Sequence, residues 1–447
     1  MEEYKRYARY KDSGIDWIGE IPSKWITSKI KHHAEAIGGY PFDSDLFTLD
    51  EREGFPLIRI RNILDQNINT YYQGKPIKEA IVKKGELLIG MDGDFNVCWW
   101  QNGKALLNQR VCKISIKEAE RINKKFLFYL ISFPLSKIND TTYFTTVKHL
   151  SLSQIDNITI PLPSINEQIN IVHFLDDKIK GIERIINKKE NLIEKLKEYK
   201  KAVITEAVTK GKLGDRYINE DGELVDEIEM KDSGVEWLGK IPEYWDILRL
   251  KFLAIIRNGK KQDKVEDMDG EYPILGSGGE FSRANDYLYD KPSVLLGRKG
   301  TIDNPQYIEK PFWTVDTLFY TEIKEIIIPK LFYYLTKTIR FDYYSTQTAL
   351  PSMTQEDLNQ IPLPLYKDKN IQRIIVSFID NKLFKIDNLI QKTKESIKKY
   401  KEYKKSLIFE AVTGKIDLRD YEMEEGEDSV KYDNTRKAER ESLSTIN

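Results

Sequence analysis

The sequence predicts an α+β chain: two tandem compact α/β domains separated by two long helices that pair as an antiparallel coiled coil, in an internal pseudo-twofold repeat. Three observations predict it. A fifteen-residue segment recurs 220 residues downstream. An Ile-Pro-Leu-Pro tetrapeptide recurs after 201 residues. A heptad series of apolar residues follows the tetrapeptide each time, with an offset of 204.

The repeat organises everything else. KDSGIDWIGEIPSKW at 11–25 returns as KDSGVEWLGKIPEYW at 231–245, with nine positions identical. Ile160-Pro161-Leu162-Pro163 returns as Ile361-Pro362-Leu363-Pro364, and EYKKAVITEAVT at 198–209 as EYKKSLIFEAVT at 402–413. These borders give a first domain at 11–163 and a first helix at 164–212. An acidic linker at 213–230 leads to a second domain at 231–364 and a second helix at 365–415. Composition marks the acidic tail at 416–447 as disordered. Few matches connect 30–150 with 250–350. Shared borders around divergent centres describe one scaffold with two specificities. A duplicated enzyme would keep its reacting residues in both copies.

Inside the domains, β-like runs alternate with turn signals. The runs are Phe55–Arg61, Glu86–Gly90, Val111–Ile114 and Ser293–Gly297. Asp92-Gly93-Asp94, Asn102-Gly103 and Gly276-Ser277-Gly278-Gly279 mark turns. Helical segments follow near 122–138 and 328–341. The loops are rich in side chains that read base edges, since Arg and Lys suit guanine and Asn and Gln suit adenine. Candidates in the first domain are Arg59, Arg61, Asn62, Asn96, Asn108, Gln109 and Arg110. In the second they are Ser277, Arg298, Lys299, Thr301, Thr346, Gln347 and Thr348. For each alone, a solvated surface residue or turn cap is the competing reading. Trp99 and Trp100 read as core before they read as a stacking platform.

The helices carry a seam. Its a and d positions are Val172, Leu175, Ile179, Ile182, Ile186, Lys189, Ile193, Leu196, Lys200, Val203 and Ala207. The counterpart runs Val376, Ile379, Leu383, Ile386, Ile390, Thr393, Ile397, Tyr400, Lys404, Leu407 and Ala411. Two such helices in one chain cover their seams most simply by pairing with each other. Antiparallel pairing sends the two domains to opposite ends, and polar breaks matched at Lys200 and Lys404 set the register. The alternative packs each helix on its own domain core.

Bulk composition excludes several classes. The net charge of −1 hides an asymmetry: 417–447 carries −5 and 213–230 carries −6, leaving +10 elsewhere. Two cysteines, Cys98 and Cys112, make no disulfide framework and suit a reducing, cytoplasmic setting. No apolar stretch is long enough to span a bilayer, and the first residues lack a signal-peptide core. No P-loop, HExxH or zinc-ligand spacing occurs. Asn304-Pro305-Gln306-Tyr307 lacks the second proline of an amino-methyltransferase motif and has no counterpart in the first copy. Asp303 with Glu322-Ile323-Lys324 fits a nuclease pattern only as a chain with 71 acids and 70 bases would by chance.

Taken together, the KDSGxxWxGxIPxxW segments, the IPLP borders with Asn166-Glu167-Gln168 after the first, and the EAVT endings at 206–209 and 410–413 resemble the specificity subunits of type I restriction–modification systems. After the second border, Asn370-Ile371-Gln372 lacks the Glu-Gln pair. The resemblance implies a chain without catalysis or cofactor of its own. Two target-recognition domains each read one half of a bipartite site in double-stranded DNA. It implies two modification subunits, carrying S-adenosylmethionine chemistry, docked on the helices, and restriction subunits that use ATP and Mg; the alternatives are a specificity subunit of a methylation-only or fused system, and a coiled-coil scaffold without DNA contact. The segments Phe55–Asn62, Gly90–Asn96 and Asn108–Arg110 resemble motifs of one class of recognition domain, which adds Asp92 and Asp94 to the candidates. The resemblance also implies that the helical pair acts as a ruler for the spacer; from 172 to 207 a helix rises about 54 Å, between one and two turns of B-DNA at about 34–36 Å each.

Overall fold

A computed structural model describes residues 4–141, 148–345 and 351–421. The chain forms two compact units, residues 1–187 with 397–447 and residues 188–396. Each unit therefore combines one domain, the first part of the helix that follows it and the last part of the other helix.

In the first unit the chain runs through β1 (Ile26–Lys29), β2 (Ala34–Gly38), β3 (Phe55–Ile58), β4 (Leu87–Gly90), β5 (Val97–Trp99), β6 (Ala105–Leu107) and β7 (Val111–Ile116). Helix α1 (Lys124–Thr141), β8 (Thr159–Leu162) and helix α2 (Ile165–Lys210) follow. An antiparallel sheet has the order β2–β7–β4–β5. Leu87, Leu88 and Ile89 are buried in succession, so both faces of its centre are covered. β3 and β6 are parallel neighbours, and the IPLP strand β8 pairs with β1. Asn123 caps α1 by accepting from the backbone N–H groups of Lys125 (2.9 Å) and Phe126 (3.1 Å). Phe126, Leu127, Leu130 and Ile131 then form its buried face.

The second unit repeats this plan. Its strands are β9 (Asp246–Arg249), β10 (Ala254–Asn258), β11 (Tyr272–Gly276), β12 (Ser293–Gly297), β13 (Gln306–Ile308), β14 (Trp313–Thr314) and β15 (Leu318–Ile323). Helix α3 (Pro329–Thr336), β16 (Pro362–Leu365) and helix α4 (Lys369–Val412) complete it. The sheet order β10–β15–β12–β13 matches the first unit, β11 and β14 are parallel, and β16 pairs with β9. The divergent centres are thus one fold. Ladder hydrogen bonds use only backbone groups, so alternation of apolar residues suffices to rebuild the sheet without identities.

The isoleucines of the seam are buried, among them Ile179, Ile186, Ile193, Ile386, Ile390 and Ile397, while Leu196, Val376, Leu383 and Tyr400 are half-buried. In the first unit Lys404 Nζ donates to Glu183 Oε1 at 2.5 Å, while Asn170 Nδ2 donates to Leu418 O at 3.2 Å. Rising along α2 means descending from α4, so the halves are antiparallel. In the second, Lys200 Nζ donates to Asp387 Oδ1 at 2.7 Å, and Ile371 lies against Gly222. Lys200 and Lys404 are therefore each satisfied by an acid on the partner helix.

The repeated motifs interlock. Asp12 and Asp232 each accept from the N–H of the motif glycine, at 3.0 and 2.9 Å. Gly211 and Gly414 end the long helices with φ of 62° and 73°, and each lies against the last tryptophan of a KDSG segment, Trp245 and Trp25. A Cβ on Gly414 would come within 2.4 Å of Pro22 Cδ. Trp25 Nε1 donates to Glu167 Oε1 at 3.3 Å, and Glu167 Oε2 closes a capping box with Ser164. Ile371 stands where Glu167 does, and buried Trp245 Nε1 has no acceptor in hydrogen-bond geometry. This is the structural consequence of Ile371 replacing the glutamate of the pair, whose glutamine persists as Gln372.

Gln168 and Gln372 fix each domain to its helix in the same way, both fully buried. Gln168 Oε1 accepts from Asn123 N (2.8 Å), and its Nε2 donates to Arg121 O (2.9 Å) and Pro163 O (3.0 Å). Gln372 Oε1 accepts from Ile328 N (2.8 Å), and its Nε2 donates to Ile326 O and Tyr366 O, both at 2.9 Å. Asp176 adds contacts with Lys125 Nζ (2.6 Å) and Tyr129 Oη (2.5 Å), as Asp380 does with Lys330 and Tyr334. KFLFYL at 125–130 and KLFYYL at 330–335 are the sequence trace of this clamp.

Two expectations change. The acidic stretch 213–230 is more than a linker: Lys212–Leu213, Arg216–Ile218 and Leu224–Val225 form a three-stranded meander with Ile218 fully buried. The start of the tail is also packed. Ile416 and Leu418 are buried, and Asp417 N donates to Lys5 O at 2.8 Å. Average charge hid the few apolar residues that anchor each segment. The tail from 422 onward lies outside the described residues.

Candidate nucleic-acid interface

Parallel neighbours release their following loops at the same end of a sheet. β3 and β6 therefore deliver 59–62 and 108–110 together. Met91 N donates to Arg110 O at 2.9 Å, which brings the loop after β4 to the same place. Phe95 pins that loop, buried with a left-handed φ of 52°. In the second unit β11 and β14 deliver Ser277 and Asp316–Thr317, and Arg298 N donates to Thr317 O at 2.9 Å. Gln306 Nε2 donates to Gly276 O at 2.8 Å and holds the β11 end in position.

The candidates fall into distinct environments. Arg110 is exposed, with Nε 3.5 Å from Asp92 Oδ2. Asp92 also meets His149 Nδ1 at 2.7 Å. Asp94 and Gln109 are exposed, and Asn96 and Asn108 are half-buried. Arg59 lies over the Phe47 ring, 5.9 Å from its centroid. Arg61 is exposed and donates to Asn69 Oδ1 (3.0 Å) and Thr70 Oγ1 (2.9 Å). Asn62 leaves the candidate set. It is 2% exposed, its Oδ1 accepts from Arg59 N at 2.8 Å and its Nδ2 donates to Asn67 O at 2.5 Å. Its amide holds a turn and, being buried, is not presented to a base. Trp100 is core, its Nε1 donating to Gly103 O at 2.9 Å.

In the second domain Lys299 and Thr301 are exposed and Ser277 is half-buried. Arg298 is half-buried over Phe319 and donates from Nη1 to Asp316 O at 3.3 Å. Thr346, Gln347 and Thr348 lie outside the described residues. Sequence reasoning missed His149, Thr317 and Ser352, which the fold brings to these loops. Thr317 stands just before β15, and His149 and Ser352 sit in isolated bridges to Asp92 and Lys299, positions invisible without the pairing.

Burial pushes the Cys98 thiol up to about 11 and Cys112 up to about 12, so both are neutral thiols near pH 7. Ser28 Oγ lies 2.9 Å from His33 Nε2, and His33 Nδ1 3.1 Å from Glu118 Oε2. The string ties β1 to the end of β7, and the second domain has Leu248 and Leu253 there. Among the described residues, no group of three or more His, Cys, Asp or Glu side chains is placed to hold a metal ion, and no helix is long and apolar enough to cross a membrane. The exposed arginines, lysine, amides and hydroxyls at both junctions are hydrogen-bonding groups suited to base edges and phosphates.

The family model described as "Type I restriction modification DNA specificity domain" matches residues 22–195 and 242–420. The specificity subunit of the type I restriction enzyme EcoBI from Escherichia coli is 36% identical over 198 residues, 44% of this chain and 41% of that protein. The chain thus spans about two fifths of that relative. The MjaVIII specificity subunit from Methanocaldococcus jannaschii is 24% identical over 443 residues, covering 89% of this chain and 94% of its own length. A chain from a solved structure concerning complex assembly and conformational transition of the type I R-M system has a TM-score of 0.65. At 14% identity it covers 89% of this chain and 99% of that one, and it shares the fold. Matched over two tandem segments that make up most of its length, the chain belongs to the type I restriction modification DNA specificity domain family and holds that domain twice.

Proposed function

We propose that this chain is the sequence-reading subunit of a type I restriction–modification complex and makes or breaks no bond itself. Each domain reads one half of a bipartite site in duplex DNA. The coiled coil fixes the spacer and docks two modification subunits, which bind S-adenosylmethionine. Restriction subunits using ATP and Mg join the assembly, which works in the cytoplasm. One observation carries the reading: the same sheet, loops and clamp occur twice, with different side chains at the exposed junctions. A structural scaffold would need no such divergence.

The test is adenine methylation mapped on genomic DNA after co-expression with the neighbouring modification subunit. A bipartite motif with a fixed spacer, lost on deletion of this chain, is expected. Exchanging 20–163 changes one half-site alone. Methylation at a single continuous site, or methylation independent of this chain, refutes the reading. Duplex binding by the complex falls steeply with salt, because phosphate contacts release counterions.

A further inference from the structure

The loop junctions of the two domains are built on the same backbone hydrogen bonds. Met91 N donates to Arg110 O and Arg298 N to Thr317 O, both at 2.9 Å. Gly93 N donates to Lys148 O at 3.0 Å, and Gly300 N to Pro351 O at 2.9 Å. Leu150 N donates to Met91 O at 2.7 Å, and Met353 N to Arg298 O at 3.0 Å. Asp92 forms a β-bridge with His149, and Lys299 one with Ser352. Bond for bond, position 92 corresponds to 299, 110 to 317 and 149 to 352. The frame is constant and the side chains are not: Asp, Arg and His in the first domain, Lys, Thr and Ser in the second.

We infer that these three positions in each domain are a specificity-determining set for the bases of duplex DNA. The inference rests on the proposed function and narrows it to named residues. In the first domain Arg110 is the reading group. Asp92 takes its inner Nε (3.5 Å) and holds His149 through Nδ1 (2.7 Å). The terminal guanidinium amino groups are left for a guanine, whose O6 and N7 accept such a pair. Asp92, only 21% exposed as a side chain against 53% for Arg110 and for His149, is a positioning residue. In the second domain the same three positions hold Lys299, Thr317 and Ser352, one ammonium and two hydroxyls. That combination reads a different donor–acceptor pattern on the same frame.

The experiment uses the full chain co-expressed with its modification subunit and maps methylated motifs for four proteins. These are the wild type, Arg110→Lys, Asp92→Asn and the graft Asp92→Lys/Arg110→Thr/His149→Ser. Arg110→Lys lowers methylation at the original motif about tenfold to a hundredfold, since a bidentate contact becomes a point contact, and admits methylation at motifs that differ from it at one position of the first half-site. Asp92→Asn relaxes the base preference at the same position while methylation of the relaxed set persists, which loss of packing alone would not produce. The graft alters one position of the first half-site and leaves the second half-site and spacer unchanged. Should the graft lose all methylation, Arg110→Lys decides, because it keeps charge and length. Variants that methylate the wild-type bases at wild-type rates overturn the inference. So does a loss spread evenly over all sites with no change in base preference. A wild-type map without a bipartite motif instead overturns the proposed function, so the two failures are distinguishable.

Discussion

Gln372→Met removes a polar clamp while nearly keeping side-chain volume. In the native chain the amide satisfies one N–H and two carbonyls inside a site of zero exposure. Methionine satisfies none. Leaving a buried backbone group unpaired costs about 1–3 kcal/mol, and relaxation of Ile326–Ile328 toward water recovers part of that for three groups. A net local cost of about 2–4 kcal/mol follows. The assay is hydrogen exchange of the full chain, read by mass spectrometry over 326–332 and over 121–126. At 1.4 kcal/mol per decade, exchange in 326–332 rises about 30- to 700-fold. The segment 121–126, held by Gln168, stays within about threefold. Gln168→Met gives the mirror result. An acceleration below about threefold at the substituted clamp, or an equal rise in both segments, refutes the reasoning.

Trp25→Phe and Trp245→Phe lose similar volume, but only the first breaks a hydrogen bond to a carboxylate. Exchange over 21–25 should respond more strongly than exchange over 241–245, by about 2 kcal/mol or more; equal responses would mean that Trp245 Nε1 is satisfied, with the Tyr244 hydroxyl beside it as the partner. Gly414→Ala meets both a left-handed φ and the rigid Pro22 ring, so it lowers the thermal midpoint more than Gly211→Ala, whose new methyl meets side chains at 3.2–3.3 Å. Iodoacetamide at pH 8 should alkylate Cys98 and Cys112 in the native chain more than about a hundredfold slower than in urea, because raised thiols hold little thiolate. Folded thiols raised to about 11 and 12 bind their protons more tightly than unfolded ones. Their contribution to stability is therefore full below about pH 8.5 and is lost as pH rises through 11 and 12. A midpoint flat from pH 8 to 11 would contradict it.

The sequence by itself determined the duplication, the fold class and the coil. KDSG turns, IPLP strands, EAVT helix ends and the a/d series are local patterns, and each keeps its structural role wherever it occurs. Lys200 and Lys404 were legible as register breaks because a seam position is defined by spacing alone. Only the tertiary structure decided that 30–150 and 250–350 share one sheet order, since backbone ladders tolerate any suitably alternating side chains. Only it separated Asn62, spent on a turn, from Arg110, left exposed, because both read equally well as base-contacting residues. The correspondence of 92, 110 and 149 with 299, 317 and 352 runs through hydrogen bonds between distant segments. Main-chain pairing of that kind leaves no mark on side-chain identity, so no inspection of residues along the chain could align them.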